Sequence, residues 1–115
     1  MDAVDVAREY YRTIDEDDYE TLTTLLEERF VHERPDRRLE GRDRFVTFMR
    51  EERPETETEH EIETAYVSSD GDGDVAMEGT LRRADGSVWF RYVDAFDVED
   101  GRIVHLRTYT DDHPL

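Results

Sequence analysis

Residues 88–110 read VWFRYVDAFDVEDGRIVHLRTYT and contain two runs rich in β-branched and aromatic residues. Between the runs lies Asp100-Gly101, a dipeptide typical of a tight hairpin turn. Because side chains alternate between the two faces of a strand, Tyr92, Asp94 and Phe96 share one face of the first run. A carboxylate on an aromatic face is costly unless it is paired or used. The stretch therefore predicts a β-hairpin and marks Asp94 as a candidate functional residue.

The length and composition indicate a single domain over residues 1–115. The chain contains no cysteine, which excludes disulfides, thiolate metal sites and cysteine nucleophiles. No motif for a metal ion or a cofactor occurs, so we expect neither. The sequence has no N-terminal apolar run and no stretch long enough to span a membrane, and we therefore expect a cytoplasmic protein.

The chain is strongly acidic, with a formal net charge of −17 from 32 acidic and 15 basic residues. Every basic residue is an arginine. Such a surface repels nucleic acid and anionic membranes, so we expect neither as a partner. The composition is similar to that of cytoplasmic proteins from salt-loving archaea, in which concentrated salt screens the self-repulsion of the chain.

Apolar spacing predicts three helices, because apolar residues recur at intervals of three and four in each segment. Asp17 and Glu20 resemble a capping box for the second helix. The third helix is predicted to begin at Gly41 and to end before Pro54. The apolar faces comprise Val4, Ala7, Tyr10, Tyr11 and Ile14 in the first helix, Tyr19, Leu22, Leu25 and Leu26 in the second, and Phe45, Val46, Phe48 and Met49 in the third.

The remaining segments predict strands. A short strand over 30–32 leads into a polar loop around Pro35, and from about Thr58 onward alternation of apolar and polar residues is typical of strands. The acidic run 55–63 is interpreted as a charged strand edge that discourages aggregation. The expected order of elements is α-α-β-α-β-β-β-β.

This order, with Leu39-Glu-Gly-Arg42 and Gly101-Arg-Ile103 at matching positions, resembles the nuclear transport factor 2-like superfamily. The similarity is to its SnoaL-like and ketosteroid isomerase-like members and extends from about Val4 to Thr110. It implies an α+β fold in which a curved antiparallel sheet, mixed at its edge, wraps around three N-terminal helices into a cone with an internal pocket. Members of the superfamily include isomerases, cyclases, dehydratases, epoxide hydrolases and proteins without catalysis, so the fold alone implies no single reaction.

The resemblance implies three catalytic positions. Tyr10 falls where ketosteroid isomerases carry a tyrosine that helps to hold an oxyanion; alternatively, it is a core residue of the first helix. Asp94 falls at their acidic oxyanion partner, which an apolar site keeps protonated; alternatively, it is ionised and paired with an arginine or a tyrosine hydroxyl. At the position of the general base stands His32, or Glu33 if the loop is one residue shorter. A neutral histidine is a competent base near neutral pH, although His32 could equally line the rim of the pocket.

Strand alternation and the resemblance together predict the two faces of the sheet. On the opposite face, Trp89, Val93 and Tyr109 are expected to form an exposed apolar patch, which favours a homodimer through the outer face. The inner face is expected to contribute the pocket-lining residues Glu33, Phe90, Tyr92, Phe96, Leu106 and Thr108.

Two functions fit this site. The first is a cofactor-free isomerase, cyclase or dehydratase, in which His32 moves a proton next to the carbonyl group of a small ligand while Tyr10 and Asp94 stabilise the enolate. The alternative is a non-catalytic module for ligand binding or dimerisation, whose pocket holds a small apolar molecule.

The acidic composition predicts that the fold loosens in dilute buffer. Salt reduces the self-repulsion of the folded chain, because the Debye length falls to about 3 Å at 1 M ionic strength. We expect the midpoint of thermal unfolding, followed by circular dichroism, to be higher in molar KCl than in dilute buffer. A midpoint that barely moves between the two conditions contradicts this expectation.

Overall fold

Three helices precede most of a six-stranded sheet, which confirms the predicted α+β class. The computed structural model describes residues 2–69 and 73–111. Within these ranges no helix is long and apolar enough to cross a membrane. In chain order the elements are α1 (Ala3–Asp15), α2 (Tyr19–Leu25), β1 (Leu26–Glu33), β2 (Arg38–Glu40), α3 (Arg42–Thr47) with a π-helical extension (Phe48–Glu52), β3 (Glu59–Val67), β4 (Asp74–Arg82), β5 (Val88–Glu99) and β6 (Arg102–Thr110).

The strands form one open sheet in the order β2-β1-β6-β5-β4-β3. Neighbouring strands are antiparallel except for β1 and β6, which are parallel. The parallel pair places His32 beside Leu106, and the neighbouring antiparallel pair places Asp94 beside Thr108. The register therefore brings inward-facing polar residues of three adjacent strands together.

The hairpin of β5 and β6 follows the sequence prediction. Asp100 and Gly101 both have positive φ angles, of 52° and 77°, as a type I′ turn requires. On β5 the alternation is as expected, because Tyr92, Asp94 and Phe96 are only 3%, 5% and 1% exposed. The inner face of this strand packs against α1.

The helices cover the inner face of the sheet with the apolar residues that the spacing predicted. Asp2 caps α1 by accepting a hydrogen bond from the backbone of Asp5, and Val4 lies at the margin of the core. The core also takes in aromatic residues from the first strand and from α3 with its extension. Its largest fully buried side chains include Phe30, Phe45, Phe48, Phe96, Ile14, Leu22 and Leu26.

Three local predictions were wrong. The cap of α2 is Asp18, whose carboxylate accepts the backbone N–H of Thr21, because Asp17 has a positive φ of 56° that an N-cap residue does not adopt. Leu26 is buried as expected, but it begins β1 instead of ending α2. The expected order of elements lacks β2, a three-residue strand after the loop around Pro35 that pairs with β1 through Leu39.

Trp89 does not lie on the outer face, contrary to the alternation argument. Leu81 pairs with Phe90 whereas Arg82 pairs with Val88, so Trp89 is the extra residue of a β-bulge. The bulge turns Trp89 toward the inner side, where it is half-buried and stacks edge-on against Phe90. Both aromatic rings therefore contribute to the same cavity.

Candidate functional site

A cavity of about 90 Å³ lies between α1, the end of the third helix and the inner face of the sheet. All three residues that the sequence marked as catalytic candidates, Tyr10, His32 and Asp94, line it. The volume is small compared with the roughly 300–1,000 Å³ typical of sites for drug-sized ligands. The remaining lining is mostly apolar and aromatic, and it includes the predicted Phe90, Tyr92 and Thr108.

Asp94 is the most enclosed charged group of the cavity and accepts two hydrogen bonds. The hydroxyl of Tyr11 donates to Oδ2 at 2.7 Å, and the hydroxyl of Thr108 donates to Oδ1 at 2.5 Å. Burial raises the pKa of Asp94 above its usual range, because it outweighs the two hydrogen bonds and the nearby positive groups that lower it. This carboxyl group is therefore protonated more readily than one on the surface.

His32 extends the same chain of hydrogen bonds. Its Nε2 lies 2.7 Å from the hydroxyl oxygen of Thr108, while its Nδ1 is buried and has no partner among the described residues. Burial, with smaller contributions from Arg34 and His105, holds the pKa of His32 well below its usual range, so the ring is neutral. When Asp94 is ionised, Thr108 gives its single proton to Asp94, and His32 must then donate from Nε2.

Tyr11, which the sequence analysis placed among core residues, is the tyrosine that contacts the acid. The ring of Tyr10 lines the cavity but packs against Phe45 and Phe96, with ring centroids 6.2 and 5.4 Å away. Burial raises the pKa of both tyrosines well above the usual range, so both hydroxyls keep their protons. Neighbouring residues on a helix point about 100° apart, and apolar spacing alone could not tell which hydroxyl meets Asp94.

Three residues expected in the lining lie elsewhere. Phe96 and Leu106 are 1% and 0% exposed and belong to the solid core, because the helices pack directly onto them. Glu33 is on the outer face, since it follows inward-facing His32 on the same strand. There its carboxylate accepts a hydrogen bond from Arg38 and lies 2.5 Å from His105. Glu33 therefore does not reach the position of a base in the cavity.

A second histidine, His60 on β3, also lines the cavity. Its Nδ1 lies 2.7 Å from Oδ1 of Asp15, and its backbone N–H donates to Oδ2 of the same carboxylate at 2.9 Å. The ring lies 4.7 Å from the ring of Tyr11. The sequence predicts a charged strand edge at this position, and the one feature that favours an inward position is the strand face that His60 shares with Ile62.

The chain matches the model of the SnoaL-like domain over residues 7–106. It belongs to the SnoaL-like domain family. No curated protein matches its sequence.

Several solved structures share this fold. An NTF2-like protein of unknown function from Cytophaga hutchinsonii superposes with a TM-score of 0.79 at 17% identity, covering 96% of this chain and 91% of that chain. A candidate ketosteroid isomerase from Kribbella flavida gives 0.81 at 21% identity, covering 96% and 78%. An LEH-like epoxide hydrolase from M. tuberculosis gives 0.77 at 23% identity, covering 95% and 78%. These similarities show the NTF2-like fold, while the different activities of the neighbours leave the reaction open.

Replacing Tyr11 by Phe should raise the pKa of Asp94 further, because the Tyr11 hydroxyl is one of the two hydrogen bonds that hold this pKa down. The matched variant Y10F removes a hydroxyl from the neighbouring residue and should leave the pKa unchanged. Titration of the Asp94 carboxyl carbon by ¹³C NMR measures both shifts. Equal shifts in the two variants, or a shift only in Y10F, would show that Tyr11 is not the partner of the acid in solution.

Proposed function

We propose that this protein is a cofactor-free isomerase, cyclase or dehydratase that moves a proton next to the carbonyl group of a small substrate. The observation that carries the proposal is Asp94, a buried carboxyl group in an aromatic cavity whose pKa is raised. A carboxyl group in such a setting can donate a hydrogen bond to an oxyanion, which an ionised carboxylate cannot do. Two histidines in the same cavity, His32 and His60, supply candidates for the base.

In the proposed reaction, protonated Asp94 faces the carbonyl oxygen of the substrate. When the proton next to the carbonyl leaves, the negative charge develops on this oxygen, and the acid stabilises it where it forms. The resemblance to ketosteroid isomerases adds the hydroxyl of Tyr10 as a second donor. Tyr11 and Thr108 hold the carboxyl group in place by occupying its two oxygens.

The cavity favours a small and neutral carbonyl compound. Its volume suits a single ring or a short chain better than a molecule with several fused rings. Arg53 lines the cavity, but it donates to the backbone oxygens of Met49 and Ile14 and to the carboxylate of Asp17. These contacts hold Nε and Nη2 of Arg53 within the protein.

The main experiment measures isomerisation of 3-cyclohexen-1-one to 2-cyclohexen-1-one by ultraviolet absorbance. Two parallel assays measure exchange of the α protons in D₂O by NMR and dehydration of 3-hydroxycyclohexanone. We expect wild-type activity, and we expect D94A and D94N to lower kcat/KM by about 100-fold or more, as for removal of an oxyanion-hole donor. H32A should also reduce the rate.

The matched control is D97N, which alters a carboxylate of the same strand that faces outward and lies 3.3 Å from Arg107. Its activity should remain within about twofold of wild type, because outward-facing residues do not touch the substrate. Absence of exchange and of dehydration in the wild-type protein, together with binding of the same ketones, would instead support the non-catalytic binding module.

We also propose a homodimer through the outer face of the sheet. Val93 and Tyr109 are paired across β5 and β6 on this face, and the Tyr109 side chain is 59% exposed. Tyr66 on β3, which is 52% exposed, lies on the same outer face of the sheet. An exposed group of apolar residues on a highly charged chain supports burial against a second copy.

Light scattering in molar KCl tests the dimer, since salt screens the repulsion between two acidic copies. Wild-type protein should have twice the mass of the chain, and Y109E should be a monomer. V67E is the matched control, because Val67 is equally exposed but is cross-strand paired with buried Val75 and so lies on the other face. A monomeric wild-type protein refutes this interface.

Finally, we propose that the protein works in the cytoplasm of a salt-loving organism. The net charge of −17 and the exclusive use of arginine support this setting. Cell fractionation in a halophilic host would test the location, and recovery of the protein in a membrane or secreted fraction would contradict it.

A further inference from the structure

We propose that His60, oriented by Asp15, is the base that takes the proton from the substrate, and that His32 is a positioning residue. This inference rests on the proposed function and assigns its proton-transfer step to a residue that neither the sequence nor the family resemblance indicated. Three features of the structure support this assignment. Asp15 hydrogen-bonds His60, His60 lies close to Asp94, and His32 is already engaged by other residues.

Asp15 fixes both the orientation and the tautomer of His60. The carboxylate binds the ring through Nδ1 at 2.7 Å and the backbone N–H at 2.9 Å, so the side chain is held at two points. A carboxylate only accepts hydrogen bonds, and the proton of the neutral ring must therefore lie on Nδ1. The lone pair is then on Nε2, which has no hydrogen-bond partner among the described residues. His60 thus offers the cavity a basic nitrogen.

His60 lies next to the group that would hold the oxyanion. Its ring packs on Tyr11, and the hydroxyl of Tyr11 donates to Asp94. The ring of Tyr92 also packs against His60, with a centroid distance of 5.6 Å. When His60 takes up a proton, its positive charge lowers the pKa of Asp94, so the two groups lie close to each other. The base and the acid therefore flank one tyrosine and face one cavity.

His32 lacks a nitrogen that a substrate could reach. Thr108 occupies Nε2, and Nδ1 is buried with no partner among the described residues. Phe45 lies 5.2 Å from the ring of His32. When Nε2 donates to Thr108, the threonine hydroxyl is directed to Asp94. The contribution of His32 is thus to orient the hydroxyl that holds the acid.

The proposed proton transfer from the substrate to His60 needs no cofactor. The lone pair of His60 Nε2 forms a bond to the α proton, and the electrons of the broken C–H bond become the enolate double bond while Asp94 hydrogen-bonds the oxygen. In an isomerisation, the imidazolium returns the proton to the γ carbon and the carbonyl group forms again. In a dehydration, the imidazolium protonates the β hydroxyl, which leaves as water.

Alkylation by bromoacetone tests which histidine presents a reachable lone pair, whatever the natural substrate is. The histidine nitrogen bonds to the α carbon, bromide leaves, and peptide mass spectrometry identifies the acetonyl-modified residue. We expect modification of His60 and not of His32, and we expect 2-cyclohexen-1-one to protect His60. Faster labelling of His32 than of His60, or no labelling of His60, overturns the inference.

The variant D15N tests the role of Asp15 without removing the histidine. The amide oxygen of asparagine can still accept the backbone N–H of His60, but its NH₂ group donates to Nδ1 and moves the ring proton to Nε2. Labelling of His60 should slow by about tenfold or more, in line with the loss caused by a wrong tautomer in a catalytic histidine. Long-range ¹H–¹⁵N NMR should show the change of tautomer directly.

His105 and Glu33 form a matched control pair, since the same two residue types meet on the outer face at 2.5 Å. E33Q should change labelling of His105 alone, and 2-cyclohexen-1-one should not protect His105. An unchanged labelling rate at His60 in D15N refutes the role of Asp15.

The ketone assays separate this inference from the proposed function. If wild-type protein turns over 3-cyclohexen-1-one, H60Q should lose activity by about 100-fold or more, whereas H32Q should lose less because it removes a positioning contact. Full activity in H60Q would overturn the assignment of the base and leave the proposed function intact. A wild-type protein inert toward every ketone would overturn the proposed function, while the labelling experiment would still report which histidine is reachable.

Discussion

The buried carboxyl group of Asp94 is the contact on which the rest of the site depends. It joins α1 through Tyr11 and β6 through Thr108, and through Thr108 it reaches His32 on β1. Burying an ionisable group is costly unless hydrogen bonds satisfy it, so these contacts fix how the helix sits on the sheet. The same burial raises the pKa of the group. One residue therefore links the packing of three elements to the chemistry of the cavity.

Much of the fold follows from local pattern. The hairpin of β5 and β6 requires two residues with positive φ, and Asp100-Gly101 is a pair that adopts them readily. Because alternation along a strand is a rigid geometric rule, the inward position of Asp94 could be deduced from its aromatic neighbours. The rule failed at Trp89, where an extra residue in a bulge shifts the alternation by one. A bulge depends on the partner strand, so the sequence of β5 alone does not reveal it.

The site itself was less predictable, because its contacts join residues that are far apart in sequence. Tyr11 and Asp94 are separated by 83 positions, and Asp15 and His60 by 45. Helical spacing places Tyr10 and Tyr11 on one broad apolar face. Only the packing of β5 against the helix determines that Tyr11, and not Tyr10, contacts Asp94. His60 carried little signal for the same reason, since its acidic neighbours on β3 suggested an exposed strand. Its ring is oriented by Asp15, which is the last residue of α1.

The fold constrains the position of Asp94 more strongly than that of His60. Asp94 lies on a central strand, where its two oxygens are held from both sides and a substitution would leave hydroxyl donors unpaired in the core. A base needs only one reachable nitrogen or oxygen near the same substrate carbon, and several positions around a small cavity provide it. His60 stands on the edge strand β3, where the end of α1 supplies a carboxylate to orient it. His32 instead contacts Thr108, whose hydroxyl donates to Asp94, so the two histidines of the cavity make different kinds of contact.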